Sequence, residues 1–394
     1  MQKGKRQSVA RELNLSLIMD SFRLSPMSRA DIARTFKLSK PTASHIASEL
    51  ESMGLITPCK SFSYNAPGVI PQKYEINPDL GLLATLDLSS SEVKISVSAF
   101  NGDLLQETRI PNVEIIRGET LVSFCRELDD LVSACNGLPL LTVCVAMPCG
   151  INKNTGRPIW SPRFEIDPDF DLVGILNEHQ PGAAVILKND VHLCMSAERS
   201  KNGLIDGNTQ YAILVYADTG IGGSFFINGH VEDGFAGLAG EIGYFPTLVD
   251  GRVVPLDSAV SVNAIKKRLN AAILEGKLQA PPKKDGFHFA DIKQAYLTGT
   301  EKQVTDAVNE SAKILSEAIV SLIRIFDIYL IILNGRAIQF GENYLKIIQN
   351  NVKKECPEAG VNFSRLGPNA IRAGSKLTGM DAVIREKIRN REKQ

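Results

Sequence analysis

The chain has 394 residues, 44% hydrophobic and 22% charged, with 44 Lys and Arg balanced by 44 Asp and Glu. That is the make-up of a globular protein of two or three domains. No run of about eighteen apolar residues argues for a membrane span, and no charged-then-apolar leader argues for secretion, so the expected location is cytoplasmic, without a membrane partner. Seven cysteines (59, 125, 135, 144, 149, 194 and 356) are odd in number and scattered, with no C-x-x-C pair. Reduced, mostly buried thiols fit this better than disulfides or a metal site.

Val9, Leu13, Leu15, Leu17, Ile18 and Phe22 recur at near-helical spacing and predict a first helix packing on the two that follow. Arg6 and Arg11 at its start are placed to lie along phosphates or simply to be solvated. Residues 28 to 55 then have the organisation of a helix-turn-helix. Ser28 can cap a helix with Asp31 in its amide-rich first turn and Ala30, Ile32, Ala33 and Phe36 facing inward. Leu38 is expected under the turn. Ser39 caps the second helix, Pro41 sits where a missing N–H costs little, and Ile46, Ala47 and Leu50 form the buried stripe. The opposite face carries Lys40, Thr42, Ser44, His45 and Ser48, groups able to meet phosphates or base edges, and Arg29 is added as a phosphate contact. Gly54 ends the helix. Leu55, Ile56 and Lys60 to Ile76 suggest a two-stranded wing. Residues 1–60 hold ten Lys or Arg against five Asp or Glu, a balance of +5, so the remainder carries −5. Such a positive segment is an electrostatic footprint for nucleic acid. A solvated helical hairpin is the plainer alternative.

Pro and Gly are frequent from Asn65 to Gln72, which marks a linker. Beyond it, β-type runs alternate with helical ones: Leu83–Leu88, Val93–Phe100, Glu119–Cys135, Leu141–Met147, Ala184–Lys188 and Val191–Arg199. A second series runs through Tyr211–Tyr216, Ser224–Ile227, a long helix over Thr305–Phe326, the strand Tyr329–Leu333 and a final helix from Gly379. The alternation predicts an α/β body in two lobes with a cleft. Several turns there are chemically suggestive. Asp87 lies near the turn Leu88-Ser89-Ser90-Ser91. Asp218-Thr219-Gly220-Ile221-Gly222-Gly223 would let backbone amides approach a phosphate or sugar. Asn189 and Asp190 follow a strand end. Gly234 to Gly243 places Glu241 in a turn that needs something to pin it. His192 and His230 read as isolated core or surface residues.

In this order and spacing the motifs resemble the ROK family of repressors, open reading frames and sugar kinases, across nearly the whole chain. The resemblance implies a mixed α/β architecture, an N-terminal winged helix-turn-helix followed by a bilobed actin-like ATPase body. The domains would be 1–76 for DNA, 77–200 for the first lobe and 201–394 for the second lobe, which would sense the effector and oligomerise. Ser28–Leu55 looks like the family's DNA-reading unit, with Arg29, Ser39, Lys40, Thr42, Ser44 and His45 as contacts. Asn189-Asp190 looks like its sugar-binding and catalytic pair, Gly220–Gly223 like its second phosphate turn, and Gly237–Gly243 like its stretch ending in the sugar-contacting Glu241. Met147-Pro148-Cys149-Gly150, Thr155-Gly156 and Ser161-Pro162 are similar to the segment leading to the sugar.

Departures from the family pattern favour a regulator over a kinase. The first phosphate turn, Asp-x-Gly-Gly-Thr in family kinases, is Asp87-Leu88-Ser89-Ser90-Ser91. The adenosine turn, Leu-Gly-Gly-Gly, is Leu333-Asn334-Gly335-Arg336. The family's zinc needs a histidine and a cysteine loop, but Tyr244 holds the histidine position and Phe245–Ser258 has no Cys or His. Arg163 replaces an asparagine; its guanidinium can clamp a carboxylate or phosphate, or pair with Glu165 or Asp167. Asn189 and Asp190 can receive hydrogen bonds from a sugar hydroxyl or cap a strand end.

The reading is therefore a ligand-responsive repressor of carbohydrate genes, working without cofactor or metal. It would bind double-stranded operator DNA as a homodimer or homotetramer and sense a sugar or an acidic or phosphorylated sugar through Arg163, Asn189, Asp190 and Glu241. An ATP-dependent sugar kinase with a DNA-binding extension is the alternative, and a constitutive DNA-binding protein the third possibility.

Overall fold

The protein is seen here as a computed structural model that describes residues 2–59, 71–90, 92–111, 118–152, 155–161, 171–278 and 286–391; of the first thirteen side chains only that of Arg11 is described. Helix α1 (Gln2–Leu24) buries Leu15, Ile18, Met19 and Phe22. Leu17, expected on this stripe, falls beside it and is 48% exposed. Val9 and Leu13 lie outside the described side chains.

Strand β1 (Met27–Ser28), helix α2 (Arg29–Thr35), helix α3 (Lys40–Ser52) and strands β2 (Ile56–Pro58) and β3 (Lys73–Ile76) complete the front of the chain. Their boundaries follow from local chemistry. Ser28 Oγ accepts from the Asp31 amide while Asp31 Oδ2 accepts from the Ser28 amide and hydroxyl, a reciprocal capping box. Ser39 caps α3 through the Thr42 amide, and Pro41 lies in its first turn. At its other end Gly54 takes φ +74°, and the amides of Gly54 and Leu55 bond back to Glu51 and Leu50 carbonyls. The three strands pair antiparallel in the order β1-β3-β2, a wing of three strands where two were expected. Most of the proposed linker, and the wing tip, lie outside the described residues; Pro71 and Gln72 run straight into β3.

Next come β4 (Leu82–Asp87), β5 (Val93–Ala99), β6 (Leu104–Ile110), α4 (Gly118–Ser133), β7 (Leu140–Met147), the short pair β8 (Gly150–Ile151) and β9 (Pro158–Trp160), α5 (Leu172–His179), β10 (Ala184–Asn189) and α6 (Asp190–Ala197). The five long strands form one sheet ordered β6-β5-β4-β7-β10, with β4, β7 and β10 parallel. Leu121, Phe124 and Leu128 of α4 and Leu172 and Leu176 of α5 bury its apolar strand residues.

A second set follows: β11 (Tyr211–Ala217), β12 (Ile221–Ile227), β13 (His230–Glu232), β14 (Pro246–Val249), β15 (Arg252–Pro255), α7 (Leu256–Val260), α8 (Val262–Leu274), α9 (Phe289–Thr298), α10 (Lys302–Phe326), β16 (Leu330–Asn334), α11 (Glu342–Glu355) and β17 (Gly360–Phe363). Its five-stranded sheet is ordered β13-β12-β11-β16-β17, again with the first, fourth and fifth strands parallel. Both sheets thus have the strand order 3-2-1-4-5, a repeat of topology with no visible repeat of sequence. Ile221, Gly222 and Gly223, expected in a turn, belong to β12 and pair with Ala217, Tyr216 and Val215.

Helix α12 (Ala370–Arg391) begins nine residues before the expected Gly379. By contact the chain divides into Met1–Lys201 with Ile371–Gln394, and Asn202–Ala370, so nearly all of α12 belongs with the first unit. Leu377, Met380, Val383, Ile384 and Ile388 share one buried cluster with Leu15, Ile18, Ile32, Ala47, Leu50 and Leu55. The core of the helix-turn-helix is therefore closed by α12. Each such aliphatic side chain contributes about 1.5–3 kcal/mol through burial. Polar contacts fix the register: Arg23 reaches Asp381 at 2.5 Å and Asp20 at 2.7 Å, and Arg199, just beyond α6, reaches Asp20 at 3.2 Å and Asp381 at 3.4 Å. Gly374 presses so closely on the Leu193 carbonyl of α6 that no Cβ fits between them.

Ile384→Ala should lower unfolding free energy by about 2–5 kcal/mol and weaken DNA binding with it. Chemical denaturation followed by duplex titration checks this; an unchanged midpoint would show that α12 does not close the core.

Candidate functional site

The exposed face of α3 carries Lys40, Pro41, Thr42, His45, Ser48 and Ser52. Ser44, expected among them, is half-buried. Ser39 and Thr42 hydroxyls lie 2.7 Å apart, so both side chains already work at the helix start. Arg29 is exposed and reaches across to the recognition helix: its guanidinium donates to Ser48 Oγ at 3.2 Å and Tyr74 Oη at 3.1 Å, stacks 5.6 Å from the Tyr74 ring and lies 4.0 Å from the Glu51 carboxylate. Glu49 is 5% exposed on α3 because Arg11 meets it at 2.5 Å and Arg391 Nη1 donates to its backbone carbonyl at 3.3 Å. That buried acid was not legible beforehand. Its partners lie 38 and 342 residues away, and nothing local announces them.

In the first unit, β10 delivers Asn189 and Asp190 to the start of α6. Asn189 Oδ1 accepts from the amides of Val191 and His192 at 2.9 and 3.1 Å, and its Nδ2 donates to the Cys149 carbonyl at 3.1 Å. The capping role expected at the strand end is thus directed to the start of α6, whose first amides this side chain holds. The Cys149 contact ties it to the segment expected to lead toward sugar. Asp190 is buried, and burial followed by the nearby negative charge of Asp87 pushes its carboxyl up to about 7. Asp87 ends β4, and its Oδ1 accepts from the Ser89 amide at 3.0 Å and the Ser89 hydroxyl at 2.5 Å. Ser89 thus folds the turn onto its own carboxylate, while the Ser90 hydroxyl donates to the Glu92 carbonyl at 2.7 Å. His192 is buried in α6 and His230 is exposed. Arg163 lies outside the described residues, as do Glu165 and Asp167.

Glu241 belongs to the second unit. The turn before it is held to β12 by backbone: the Gly223 amide donates to the Gly240 carbonyl at 2.8 Å, an approach that a Cβ on Gly240 would block. In the same unit Asp218 follows β11, the strand that corresponds by position to β4, and Asp218 is likewise engaged. It accepts from the Arg336 amide at 3.1 Å and pairs with the Arg336 guanidinium at 3.3 Å. Asp257 accepts from the Ile221 amide at 2.7 Å. A carboxylate therefore already holds the first amide of β12. Residues 246–255, where the resemblance puts a zinc loop, are the hairpin β14–β15, turned at Asp250-Gly251 with both φ positive (49° and 74°). With no Cys or His between 245 and 258, the donor set does not fit zinc.

A three-stranded wing on a helix-turn-helix, followed by two α/β units of one strand order with carboxylates at the ends of their first strands, defines a DNA-reading module joined to a sugar-kinase-type body. The chain belongs to the ROK family, matched over residues 83–386. It is similar to the xylose repressor of Caldicellulosiruptor bescii, 23% identical over 345 residues that cover 83% of this chain and 84% of the relative. Among solved structures it is similar to a ROK family transcriptional regulator described as a homolog of the E. coli MLC protein, with TM-score 0.76, 18% identity and 96% and 99% of the two chains covered. A ROK family glucokinase from Streptomyces griseus in complex with glucose and AMPPNP matches 75% of this chain and 98% of its own, with TM-score 0.62 and 20% identity. The regulator thus shares the front end as well as the body.

Asp190 gives a pH signature. Its native carboxyl titrates near 7 and its unfolded one near 3.8, so between these values the native state holds more protons and loses stability as pH rises. Asp190→Asn should therefore gain stability relative to the unaltered chain from about pH 4 to 7, and the gap should level off above that. Paired denaturation curves across this range check it, and a constant gap would mean that Asp190 titrates like a solvent-exposed carboxyl.

Proposed function

We propose that this chain is a transcriptional repressor that binds operator DNA through its winged helix-turn-helix and releases it, or grips it, in response to a sugar. The observation that carries the reading is that the helix-turn-helix is not an appendage. Its core is completed by α12, which also lies against α6, the helix begun by Asn189 and Asp190. Ligand contacts at Asn189 and Asp190 would thus act on the same compact unit that holds the recognition helix. A ligand alters DNA affinity only through unequal affinity for two shapes of that unit.

Lys40, Thr42, Ser44 and His45 are the proposed base and phosphate contacts, with Ser39 at the helix start and Arg29 as their support. Asn189, Asp190, Glu241 and Arg163 are the proposed effector contacts. The xylose repressor among its relatives puts pentoses first in the effector panel, with acidic and phosphorylated sugars next because Arg163 suits anions. A palindromic operator would call for a two-fold assembly, which makes a homodimer or homotetramer part of the proposal. No helix among the described residues is long and apolar enough to cross a membrane, and a DNA partner would place the protein in the cytoplasm.

The proposal includes loss of kinase activity. Support comes from the anion-binding turns: Ser89 occupies the Asp87 carboxylate, Arg336 pairs with Asp218, and Asp257 takes the Ile221 amide. A nucleotide would have to break all three. One observation favours the kinase alternative, namely that a buried carboxyl near neutrality, as Asp190 has, suits a general base. The two readings part on ATP turnover, which the kinase reading requires and Asp190→Asn would abolish.

Genomic fragments retained by the protein should yield an operator bound far more tightly than random duplex, and Thr42→Ala should change which bases are preferred. Lys40→Ala should weaken binding to all duplexes and lower the salt dependence by about one unit of slope. At least one sugar of the panel should raise the melting temperature of the unaltered chain but not of Asp190→Ala. Steady phosphorylation of a hexose by ATP, or indifference to every duplex, would refute the proposal.

A further inference from the structure

We propose that the end of α12 is a second DNA-contacting element, in which Lys387, Asn390 and Arg391 hold a phosphodiester of the operator beside the C-terminal end of α3. This rests on the DNA-binding reading above and adds a surface that the helix-turn-helix does not contain.

The first reason is where the cations of the front end are spent. Of the six with described side chains between Arg11 and Cys59, Arg11 pairs with Glu49, Arg23 with Asp20 and Asp381, and Arg34 with Asp31, while Arg29 is held by Ser48 and Tyr74. Lys37 and Lys40 alone carry no hydrogen bond or ion pair among the described residues. Four of these six described cations are therefore engaged by the chain itself, Lys3, Lys5, Arg6 and Lys60 lying outside the described side chains. The two unengaged cations among the described residues are fewer than the phosphate contacts of a typical operator complex, on the order of 6–10.

The second reason is what stands next to α3. From 385 to 391, α12 carries Arg385, Lys387, Arg389 and Arg391 against one acid, Glu386. Arg391 Nη1 donates to the Glu49 carbonyl and the Ser52 hydroxyl, which sets the end of α12 against the last turn of α3. Ser52 continues the exposed stripe of Pro41, His45 and Ser48, with spacings of four, three and four residues. Between the two helices lies an open cavity of about 550 Å³ lined by Ser52, Met53, Lys387, Asn390 and Arg391. No carboxylate lines it. The Ser52 hydroxyl is already donated to the Glu49 carbonyl at 2.8 Å and Arg391 lies 4.0 Å from the Glu49 carboxylate, so the donors left for a phosphodiester are the Lys387 ammonium, the Asn390 carboxamide and the remaining N–H groups of Arg391; Lys387 has no hydrogen bond or ion pair among the described residues. The carbonyl end of a helix ordinarily repels an anion. Here Arg391 covers that end, which removes the objection. An open cavity at the edge of the recognition stripe is reached from a groove without any rearrangement of the chain, so the occupant is the duplex rather than an enclosed small ligand.

The test uses the full chain, its selected operator and a random duplex, titrated by fluorescence anisotropy between about 50 and 200 mM salt. Lys387→Gln should weaken binding to both duplexes roughly five- to tenfold near 0.1 M salt and reduce the slope of log K against log salt by about 0.9. The ratio of operator to random affinity should stay the same, and Lys387→Arg should restore both quantities. Equal melting temperatures show that the fold is kept. If Lys387→Gln leaves affinity and slope unchanged while Lys40→Gln lowers both, the second element is refuted and the recognition helix stands. Failure of the unaltered chain to bind any duplex removes the underlying reading and this inference together. Stabilisation by inorganic phosphate that Lys387→Gln abolishes, with DNA binding unaffected, would assign the cavity to a small anion and overturn the proposal.

Discussion

A guanidinium buried between two carboxylates organises this molecule. Arg23 of α1 is almost wholly enclosed, and the cost of stripping water from it is met by Asp20 and Asp381, the second of which belongs to α12. Burial alone would raise the Asp381 carboxyl, but Arg23 and then Arg199 outweigh it and hold the group below its ordinary range. Ion clusters of this kind add little net stability compared with an apolar equivalent, yet they penalise every arrangement in which one member is left unpaired. Three elements are thereby fixed in register: the helix in front of the DNA-reading unit, the helix that completes its core, and the segment leaving α6. Gly374 against Leu193 removes the remaining slack between α6 and α12, since two packed backbones have no side chain between them to yield.

The shared strand order of the two sheets gives the carboxylates their meaning. Asp87 closes the first strand of its unit and Asp218 directly follows that of the other, and in each case the chain itself satisfies the carboxylate, through Ser89 in one and Arg336 in the other. These are two chemically different ways of closing equivalent positions, one by a neighbouring hydroxyl and the other by a cation from the turn after the fourth strand. On the repressor reading, sockets once suited to nucleotide phosphates have become internal braces, whereas Asp190, buried beside Asp87, keeps a carboxyl whose proton is labile near neutral pH.

Features written in short-range chemistry were legible in the amino-acid order. Ser28 with Asp31, Ser39 with Pro41, and Gly54 are caps and stops acting within four residues, and each element they bound forms as read. The strands from Leu83 to Leu88 and from Leu141 to Met147 were equally plain, being apolar runs of buried parallel type. Ile221 to Gly223 was misassigned because glycine suggests a turn, while here it permits the close approach of Gly240 to a strand. The first turns of α12, before Gly379, were not legible; Gly374 and Gly379 sit inside the helix where backbone or Thr142 comes too near for a side chain, a long-range contact that no local pattern shows. Asn189 was legible as to place but not as to duty, since a residue that caps a helix and one that binds a hydroxyl need the same carboxamide. Glu49, Arg199 and Arg336 gave no advance sign, because their partners are distant in the chain and an acid or arginine on a helix or turn reads as solvated until the partner arrives.

The shared core of α1, α3 and α12 also dictates a timetable. Ribosomes make the recognition helix early, but Leu377 to Ile388, which seal its underside, follow more than 300 residues later. In the interval Leu15, Ile18, Leu50 and Leu55 lack their covering, so the reading head of a nascent chain remains unfinished while the body behind it is being made. Prematurely released polypeptides would consequently offer sticky surface to chaperones and proteases instead of competing for operators, and gene silencing would be reserved for chains whose sensing apparatus has already been synthesised.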